Sequence, residues 1–143
     1  MRKIIIYTDG ACSGNPGIGG WAAVHESNGK KKAVRGSAKS ATNNSMELMA
    51  AIKGIEAVKQ PREIVIYTDS KYLVTGWNHN AEWFKRENRP NRELWLQLIS
   101  AVEKGKHKVT FVKIAGHAGD RLNELADKLA KEQVVKLRHE MFG

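Results

Sequence analysis

The chain of 143 residues is long enough for one domain with a substantial core, and its 41% hydrophobic content argues against disorder. It carries 24 Lys and Arg against 15 Asp and Glu, a formal charge of +9, which favours a polyanionic partner such as nucleic acid or an anionic membrane surface. The single cysteine, Cys12, excludes an intrachain disulfide and argues against a cysteine-based zinc site.

The first predicted element is a buried strand that ends in an aspartate. Residues 4–9 read Ile-Ile-Ile-Tyr-Thr-Asp without polar alternation, which is typical of an interior strand covered on both faces. The pattern returns in residues 64–69 as Ile-Val-Ile-Tyr-Thr-Asp. Two such strands could bring Asp9 and Asp69 together at one sheet edge, where a cation, a proton or a hydrogen-bond network must offset their repulsion. A pair of divalent metals is one such solution.

The run of residues 10–20 is predicted to be a loop, because it holds a proline and four glycines beyond Gly10. Strands are predicted over residues 21–25 and 32–38, on either side of an Asn-Gly pair typical of a type I′ hairpin turn. The basic triplet Lys30-Lys31-Lys32 at the hairpin tip is interpreted as a solvated edge.

The next segment, residues 45–59, is predicted to be a largely buried helix because it is apolar on most sides. Several candidate N-cap side chains precede it: Thr42, Asn43, Asn44 and Ser45. Glu47 shares a face with Ala51 and Gly54, and these small residues let that face sit close to the sheet. We therefore expect Glu47 in the first helical turn, near the strand ends.

The fourth strand is predicted over residues 63–68. The order strand, hairpin, helix, strand implies an antiparallel hairpin followed by a parallel crossover. Asp9 and Asp69 would then lie at the same carboxyl edge of the sheet. A short helix capped by Ser70 and ending near Gly76 should follow.

The stretch from Trp77 to Arg92 interleaves aromatic and basic side chains with acids. This composition suits stacking and phosphate contact, and it equally suits aromatics that pack onto the domain beneath a solvated charged face. Beyond it we predict a helix from residue 91 or 92 to Lys104, with an inner face of Leu94, Leu98, Ala101 and Val102. A fifth strand over residues 109–114, a flexible loop over 115–119 and a last amphipathic helix over 120–138 complete the chain.

Four acids are candidates for one site: Asp9, Glu47, Asp69 and Asp127, the last on the margin of the final helix with Asn123 and Glu124. Carboxylates clustered without partnering cations provide the oxygen ligands that Mg²⁺ prefers. A cap or a surface charge explains any one of these acids, but this explanation is weaker for Asp9 and Asp69, because both end buried strands. Two metals about 4 Å apart would activate a water and stabilise the leaving oxygen of a phosphodiester.

The motifs resemble, in type and order, those of type 1 ribonuclease H. They are Tyr-Thr-Asp-Gly at residues 7–10, Asn-Pro-Gly at 15–17, Thr-Asn-Asn-Ser-Met-Glu-Leu at 42–48, Tyr-Thr-Asp-Ser at 67–70 and Gly-His-Ala-Gly at 116–119, with Asp127 ten residues after His117. The resemblance covers about residues 5–131. It implies a single domain over residues 1–143 with an α/β ribonuclease H-like fold. This fold is a mixed five-stranded sheet, antiparallel for strands 1-2-3 and parallel for 1-4-5, with helices on both faces.

The resemblance also implies an endonuclease that cleaves the RNA strand of RNA–DNA hybrids with two Mg²⁺ ions, or Mn²⁺ as a substitute, leaving 5′-phosphate and 3′-hydroxyl ends. It assigns metal binding to the four carboxylates, proton transfer or product release to His117, and an assisting role near the product to Glu124. It places RNA 2′-hydroxyls, which DNA lacks, near Cys12, Asn15, Asn43 and Asn44. A phosphate pocket for the DNA strand corresponds to Thr42 and Asn80.

Residues 77–93 depart from many bacterial members of this family, which carry a longer basic protrusion. The compressed segment bears on the strength and salt tolerance of hybrid binding and not on the chemistry. Two alternatives stay open: another enzyme of this fold, such as a transposase or junction resolvase core, and a catalytically silent nucleic-acid-binding module. The intact motifs argue against the first, and the presence of all four acids argues against the second.

The N-terminal apolar run is too short for a signal peptide, and no stretch reaches the length of a transmembrane helix. We therefore expect a soluble cytoplasmic protein with no membrane partner. Nothing in the sequence demands an obligate protein partner or more than a monomer.

Overall fold

The computed structural model describes residues 2–115 and 121–143, and its strands form one mixed sheet in the order β3-β2-β1-β4-β5. The strands are β1 Lys3–Gly14, β2 Gly17–Ser27, β3 Lys30–Ala41, β4 Glu63–Thr68 and β5 Lys108–Lys113. β2 pairs antiparallel with both β1 and β3, whereas β1, β4 and β5 run parallel. The predicted five-stranded mixed sheet is confirmed.

The described residues form four helices: α1 Asn43–Glu56, α2 Lys71–Asn78, α3 Arg92–Gly105 and α4 Arg121–Phe142. α1 begins earlier than predicted because Thr42 caps it. The Ser45 N–H donates to the Thr42 hydroxyl at 3.1 Å, and the Thr42 N–H donates to the Ser45 hydroxyl at 2.9 Å. Glu47 consequently lies in the second turn of α1, and the expectation of a first-turn position was wrong.

Helices cover both faces of the sheet, as predicted. On one face, Ile6 and Ile66 belong to a buried cluster completed from α1 and α3 by Leu48, Ile52, Trp95 and Leu98. On the other face, Ala22 and Val24 pack against α4 through Leu122, Ala126 and Ala130. The two clusters use alternate residues of the central strands, which is the period of a strand buried on both sides. None of the helices in the described part of the chain combines the length and apolar character needed to cross a bilayer.

The glycine-rich run of residues 10–20 is not the predicted loop. All of it except Asn15 and Pro16 lies in β1 and β2, which meet in a hairpin that contains a cis peptide bond between these two residues. Glycine serves close packing here: a Cβ on Gly10 would lie 2.7 Å from the Glu47 backbone nitrogen, and one on Gly20 would collide with the Ala130 carbonyl of α4. The missing side chains let α1 and α4 approach the sheet.

The inner face of α3 contains a residue that the sequence analysis missed. Trp95 is fully buried beside Leu98, whereas the predicted Leu94, Ala101 and Val102 are only partly buried. The Trp95 indole N–H donates to the Tyr72 hydroxyl at 2.9 Å, so the buried polar atom is paired.

The aromatic residues between α2 and α3 divide between the two interpretations. Phe84 stacks on the Trp95 ring with 5.0 Å between centroids, and Trp77 of α2 packs against Phe111 at 5.2 Å. Trp83 is 44% exposed and lies under the Arg89 guanidinium, 4.2 Å from the ring centroid. Packing onto the domain therefore accounts for Trp77 and Phe84, and an exposed aromatic–cation pair is left at Trp83.

Candidate active site

Two parallel strands and two helices bring four carboxyl groups together at one end of the sheet. Tyr7 of β1 pairs with Tyr67 of β4, so Asp9 and Asp69 lie at the same level. Asp69 directly follows β4, whereas β1 continues past Asp9 to Gly14, so the prediction that the first strand ends at Asp9 was wrong. Carboxyl oxygens of Asp9, Glu47 and Asp69 all lie within 4.8 Å of one another. Asp127 of α4 hydrogen-bonds to the Asp9 side chain. The structure thus assembles all four predicted acids.

The position of Glu47 is fixed by the edge of the sheet against which α1 packs. The Gly10 N–H donates to Glu47 Oε1 at 2.9 Å and also lies 3.0 Å from Asp9 Oδ1. The Thr68 hydroxyl, fully buried at the end of β4, donates to Glu47 Oε2 at 3.4 Å and accepts the Ser70 N–H at 3.1 Å. Sequence reasoning missed Thr68, although a threonine directly before each of the two aspartates was a visible signal.

The cluster is electrostatically costly in the absence of a counter-charge. Burial, aided by the hydrogen bond that protonated Asp9 donates to Asp127 and by the charge of Asp69, raises the pKa of Asp9 to about 7. Burial and then the charges of Asp9 and Asp69 raise the pKa of Glu47 well above 4.5, against the opposing effect of the Gly10 N–H. These carboxyl groups therefore favour a bound proton or a bound cation at neutral pH.

The donor set fits a hard divalent cation, because it consists of carboxylate oxygens on a largely buried surface. Within residues 2–115 and 121–143, no lysine or arginine forms an ion pair with Asp9, Glu47 or Asp69. A cation does reach Asp127: Lys131 Nζ lies 3.0 Å from its Oδ2, one helical turn away. The i, i+4 spacing of this pair on the last helix could have been found from the sequence.

The candidate RNA contacts lie where the β1–β2 hairpin meets the start of α1. The Asn43 N–H donates to Asn15 Oδ1 at 3.1 Å, and the Cys12 thiol donates to the Ala41 carbonyl at 3.1 Å. Asn43 and the neighbouring Asn44 are exposed. The structure therefore brings these four side chains to one edge of the protein. Cys12, the first of the four in the chain, is three residues beyond Asp9 in β1.

The remaining predicted site residues are more scattered. Thr42 uses its hydroxyl as the N-cap of α1. Asn80 is exposed in the turn after α2, with a left-handed backbone at φ 57°. Glu124 is exposed in the first turn of α4. His117 lies outside the described residues.

Comparison with known proteins identifies the class to which this arrangement belongs. LC9-RNase H1, described as a type 1 RNase H with the type 2 active-site motif, superposes with a TM-score of 0.81 at 29% identity, over 94% of this chain and 73% of that one. LC11-RNase H1 in complex with an RNA/DNA hybrid superposes with a TM-score of 0.78 at 24% identity, over 94% of this chain and 98% of that one. The fold is therefore that of the ribonuclease H-like nucleases.

Sequence comparison gives the family. The RNase H family model matches residues 1–135. Ribonuclease H of Francisella tularensis subsp. novicida is 48% identical over 145 residues, which cover 95% of this chain and 93% of that protein. The chain belongs to the ribonuclease H family and is a hydrolytic nuclease of a metal-dependent kind, so the recognition made from the motifs is confirmed.

Proposed function

We propose that this chain is an endonuclease that hydrolyses the RNA strand of RNA–DNA hybrids with two Mg²⁺ ions, or Mn²⁺ in their place, and leaves 5′-phosphate and 3′-hydroxyl ends. The observation that carries the proposal is the convergence of Asp9, Glu47, Asp69 and Asp127 in a member of this family. The complex of LC11-RNase H1 with an RNA/DNA hybrid supports the choice of substrate. The formal charge of +9 suits a polyanionic ligand.

The four carboxylates would hold the metal ions. When bound, the two ions supply an activated water and charge stabilisation at the leaving oxygen of the phosphodiester. Gly10 and Thr68 orient Glu47 through the hydrogen bonds to its two oxygens. Because Asp9 and Glu47 are protonated easily in the metal-free protein, metal binding must displace protons and should tighten as pH rises.

Substrate recognition is assigned to the edge beside α1. Cys12, Asn15, Asn43 and Asn44 would contact RNA 2′-hydroxyls, which distinguish the RNA strand from DNA. Thr42 and Asn80 would hold a phosphate of the DNA strand. We assign proton transfer or product release to His117 and an assisting role near the product to Glu124. The proposal also includes a single-domain monomer that acts in the cytoplasm without an obligate protein partner.

The test incubates the protein with end-labelled hybrid, duplex DNA and duplex RNA, each with Mg²⁺ or with chelator. Hybrid should be cut internally, only with metal, to fragments that carry 5′-phosphate and 3′-hydroxyl ends. Asp9→Asn should abolish turnover while hybrid binding persists, and Glu132→Gln, an exposed acid on α4, is the matched control. Cleavage of duplex DNA, or hybrid cleavage that survives chelation, would refute the proposal; binding without any cleavage would favour the silent module.

His117→Ala should slow hybrid cleavage without abolishing it, because the carboxylates and their metals remain. Single-turnover and multiple-turnover rates measured on the same hybrid separate a defect in proton transfer from one in product release. An unchanged rate in both regimes would remove His117 from the mechanism.

A further inference from the structure

A second cleft, of about 440 Å³, lies at the opposite end of the sheet from the carboxyl cluster. We call it the basal cleft. Its walls come from the start of β1, the β2–β3 hairpin, the segment after α1 and the approach to β4. The lining residues include Ile4, His25, Lys30, Lys32, Val58 and Arg62. Ala57, also in its lining, is ten residues beyond Glu47, about 15 Å along the helix axis. Its volume is within the range of small-molecule sites, roughly 300–1,000 Å³.

The hairpin tip contributes three cations to this cleft, Lys30, Lys31 and Lys32. Lys32 pairs with His25 and Lys30 pairs with Ser27 in the β2–β3 register, so both lysines share the sheet face of His25, which α1 covers. Lys31 pairs with Glu26 and belongs to the other face. All three lysines of the basic triplet therefore line the cleft, Lys30 and Lys32 from the α1 face of the sheet and Lys31 from the other face.

Two further cations come from the segment that joins α1 to β4. Lys59 Nζ donates to the Glu56 carbonyl at 3.0 Å, and the Arg62 guanidinium donates to the Pro61 carbonyl at 2.9 Å. Among the described residues, no carboxylate forms an ion pair with Lys59, Arg62 or the three hairpin lysines, and no acid lines the cleft. Five positive charges without a partnering carboxylate therefore surround a small space, which suits an anion with several charges.

The floor of the cleft has a different chemistry. Ile4, Ala57 and Val58 present apolar surface between the cations. His25 is only 8% exposed; its Nε2 donates to the Gly54 carbonyl at 2.7 Å, and its Nδ1 has no hydrogen-bond partner in the described protein. With its proton on Nε2, the ring keeps an unused lone pair on Nδ1, a buried acceptor at the floor of the cleft.

We propose that the basal cleft binds a nucleoside polyphosphate. The phosphates lie on the cations of the lining, the nucleoside covers the apolar floor, and a ribose hydroxyl is directed toward His25. Inorganic phosphate would leave the apolar floor uncovered, and an uncharged apolar ligand would leave the cations unused. The site is separate from the carboxyl cluster, so this inference and the proposed nuclease function can fail independently.

The test measures binding of a fluorescent ATP analogue to the whole chain by anisotropy, with chelator present so that metal does not draw phosphates to the carboxyl cluster. Lys30→Gln combined with Lys32→Gln should weaken binding by about tenfold, since two charge-assisted contacts are lost. The charge-matched control, Lys128→Gln with Lys136→Gln on the exposed side of α4, should change it by less than about twofold. Circular dichroism verifies that both variants fold.

Two further measurements locate the ligand and define its class. Unlabelled ATP should shift the methyl NMR resonances of Ile4, Ala57 and Val58, and inorganic triphosphate should bind about tenfold more weakly than ATP because it cannot cover the floor. The proposal is overturned by the absence of saturable binding at millimolar ATP or by equal losses in the two lysine pairs. It is also overturned if triphosphate binds as tightly as ATP, or if the methyl shifts lie elsewhere in the molecule.

Discussion

Replacing Asp9 by asparagine should make the metal-free protein more stable even though it removes the proposed activity. Burial, the hydrogen bond that protonated Asp9 donates to Asp127 and the charge of Asp69 raise the pKa of Asp9 from 3.8 to about 7. The folded protein therefore keeps a proton on this carboxyl at pH values at which the unfolded chain has released it. Asparagine has nearly the same shape and cannot ionise, so the cost of a buried negative charge is removed.

The sign and size of the effect follow from linkage. Between about pH 4 and pH 7 the folded state binds more protons than the unfolded state, so the free energy of unfolding falls as pH rises through this window. A change from 3.8 to about 7 corresponds to roughly 4 kcal/mol at about 1.4 kcal/mol per pKa unit. We expect the variant to regain most of this, about 3 kcal/mol above pH 7, or on the order of 10 °C in Tm.

The assay is thermal unfolding followed by circular dichroism from pH 5 to pH 8 in chelator, with Glu132→Gln as the exposed-acid control. The stability difference between Asp9→Asn and the parent should widen as pH rises and should shrink when Mg²⁺ is added, because metal stabilises the parent more than the variant. A variant less stable than the parent at pH 8 in chelator would refute the reasoning. A difference that does not vary with pH would show that the fold does not raise the pKa of Asp9.

Three further substitutions test the packing around the site and the sheet. Gly10→Ala puts a Cβ 2.7 Å from the Glu47 backbone nitrogen, so α1 must shift. We expect the free energy of unfolding to fall by about 1–3 kcal/mol and hybrid cleavage to slow by at least about tenfold. A normal cleavage rate would contradict this. Trp95→Ala should cost about 3–5 kcal/mol in urea unfolding, and a loss under about 1 kcal/mol would show that the ring is not a core residue. Burial lowers the pKa of His107 below 6.5, and the backbone N–H of Arg62 donates to its Nδ1 at 3.2 Å. The folded state therefore binds fewer protons than the unfolded state. The contribution of His107 to stability is consequently lost as pH falls below about 6.5. The stability deficit of His107→Gln in urea unfolding should therefore narrow below this pH, and a deficit equal at pH 5 and pH 8 would contradict it.

The central strands could be predicted from the sequence because their signal is local. Residues 4–9 and 64–69 are apolar without alternation, and only burial on both faces satisfies such a run. The structure pairs residues 4–7 of β1 with residues 64–67 of β4 as parallel neighbours. The crossover between them follows from the helix in the intervening sequence and from the preferred connection of parallel strands.

The glycine-rich run could not be resolved in the same way. A glycine indicates a turn when the backbone needs positive φ, and it indicates close packing when another element approaches the strand. Gly14 is of the first kind, with φ 85°, whereas Gly10 and Gly20 are of the second. The distinction depends on where α1 and α4 lie, and that is a property of the tertiary fold.

The repeated Tyr-Thr-Asp motif determines part of the site through the alternation of side chains between the two faces of a strand. In β1, Tyr7 belongs to the α4 side of the sheet, and strand alternation puts Asp9 on that side and Thr8 on the α1 side. Tyr7 stacks on Tyr67 with 5.2 Å between ring centroids, so an aromatic pair lies two residues before each aspartate. The sequence therefore specifies the two aspartates and what lies beside them, but it does not specify the distances.

Glu47 comes from the α1 side of the sheet, and it reaches the carboxyl cluster because Gly10 has no side chain. By the same alternation, Gly10 follows Thr8 on the α1 side, and because it has no Cβ, α1 packs close enough for Glu47 to accept the Gly10 N–H. Thr68 then supplies the second hydrogen bond to Glu47. Gly10 and Thr68 thus hold the carboxylate of Glu47, which comes from one face of the sheet, beside Asp9, which comes from the other. The candidate metal site is therefore built from side chains of both faces.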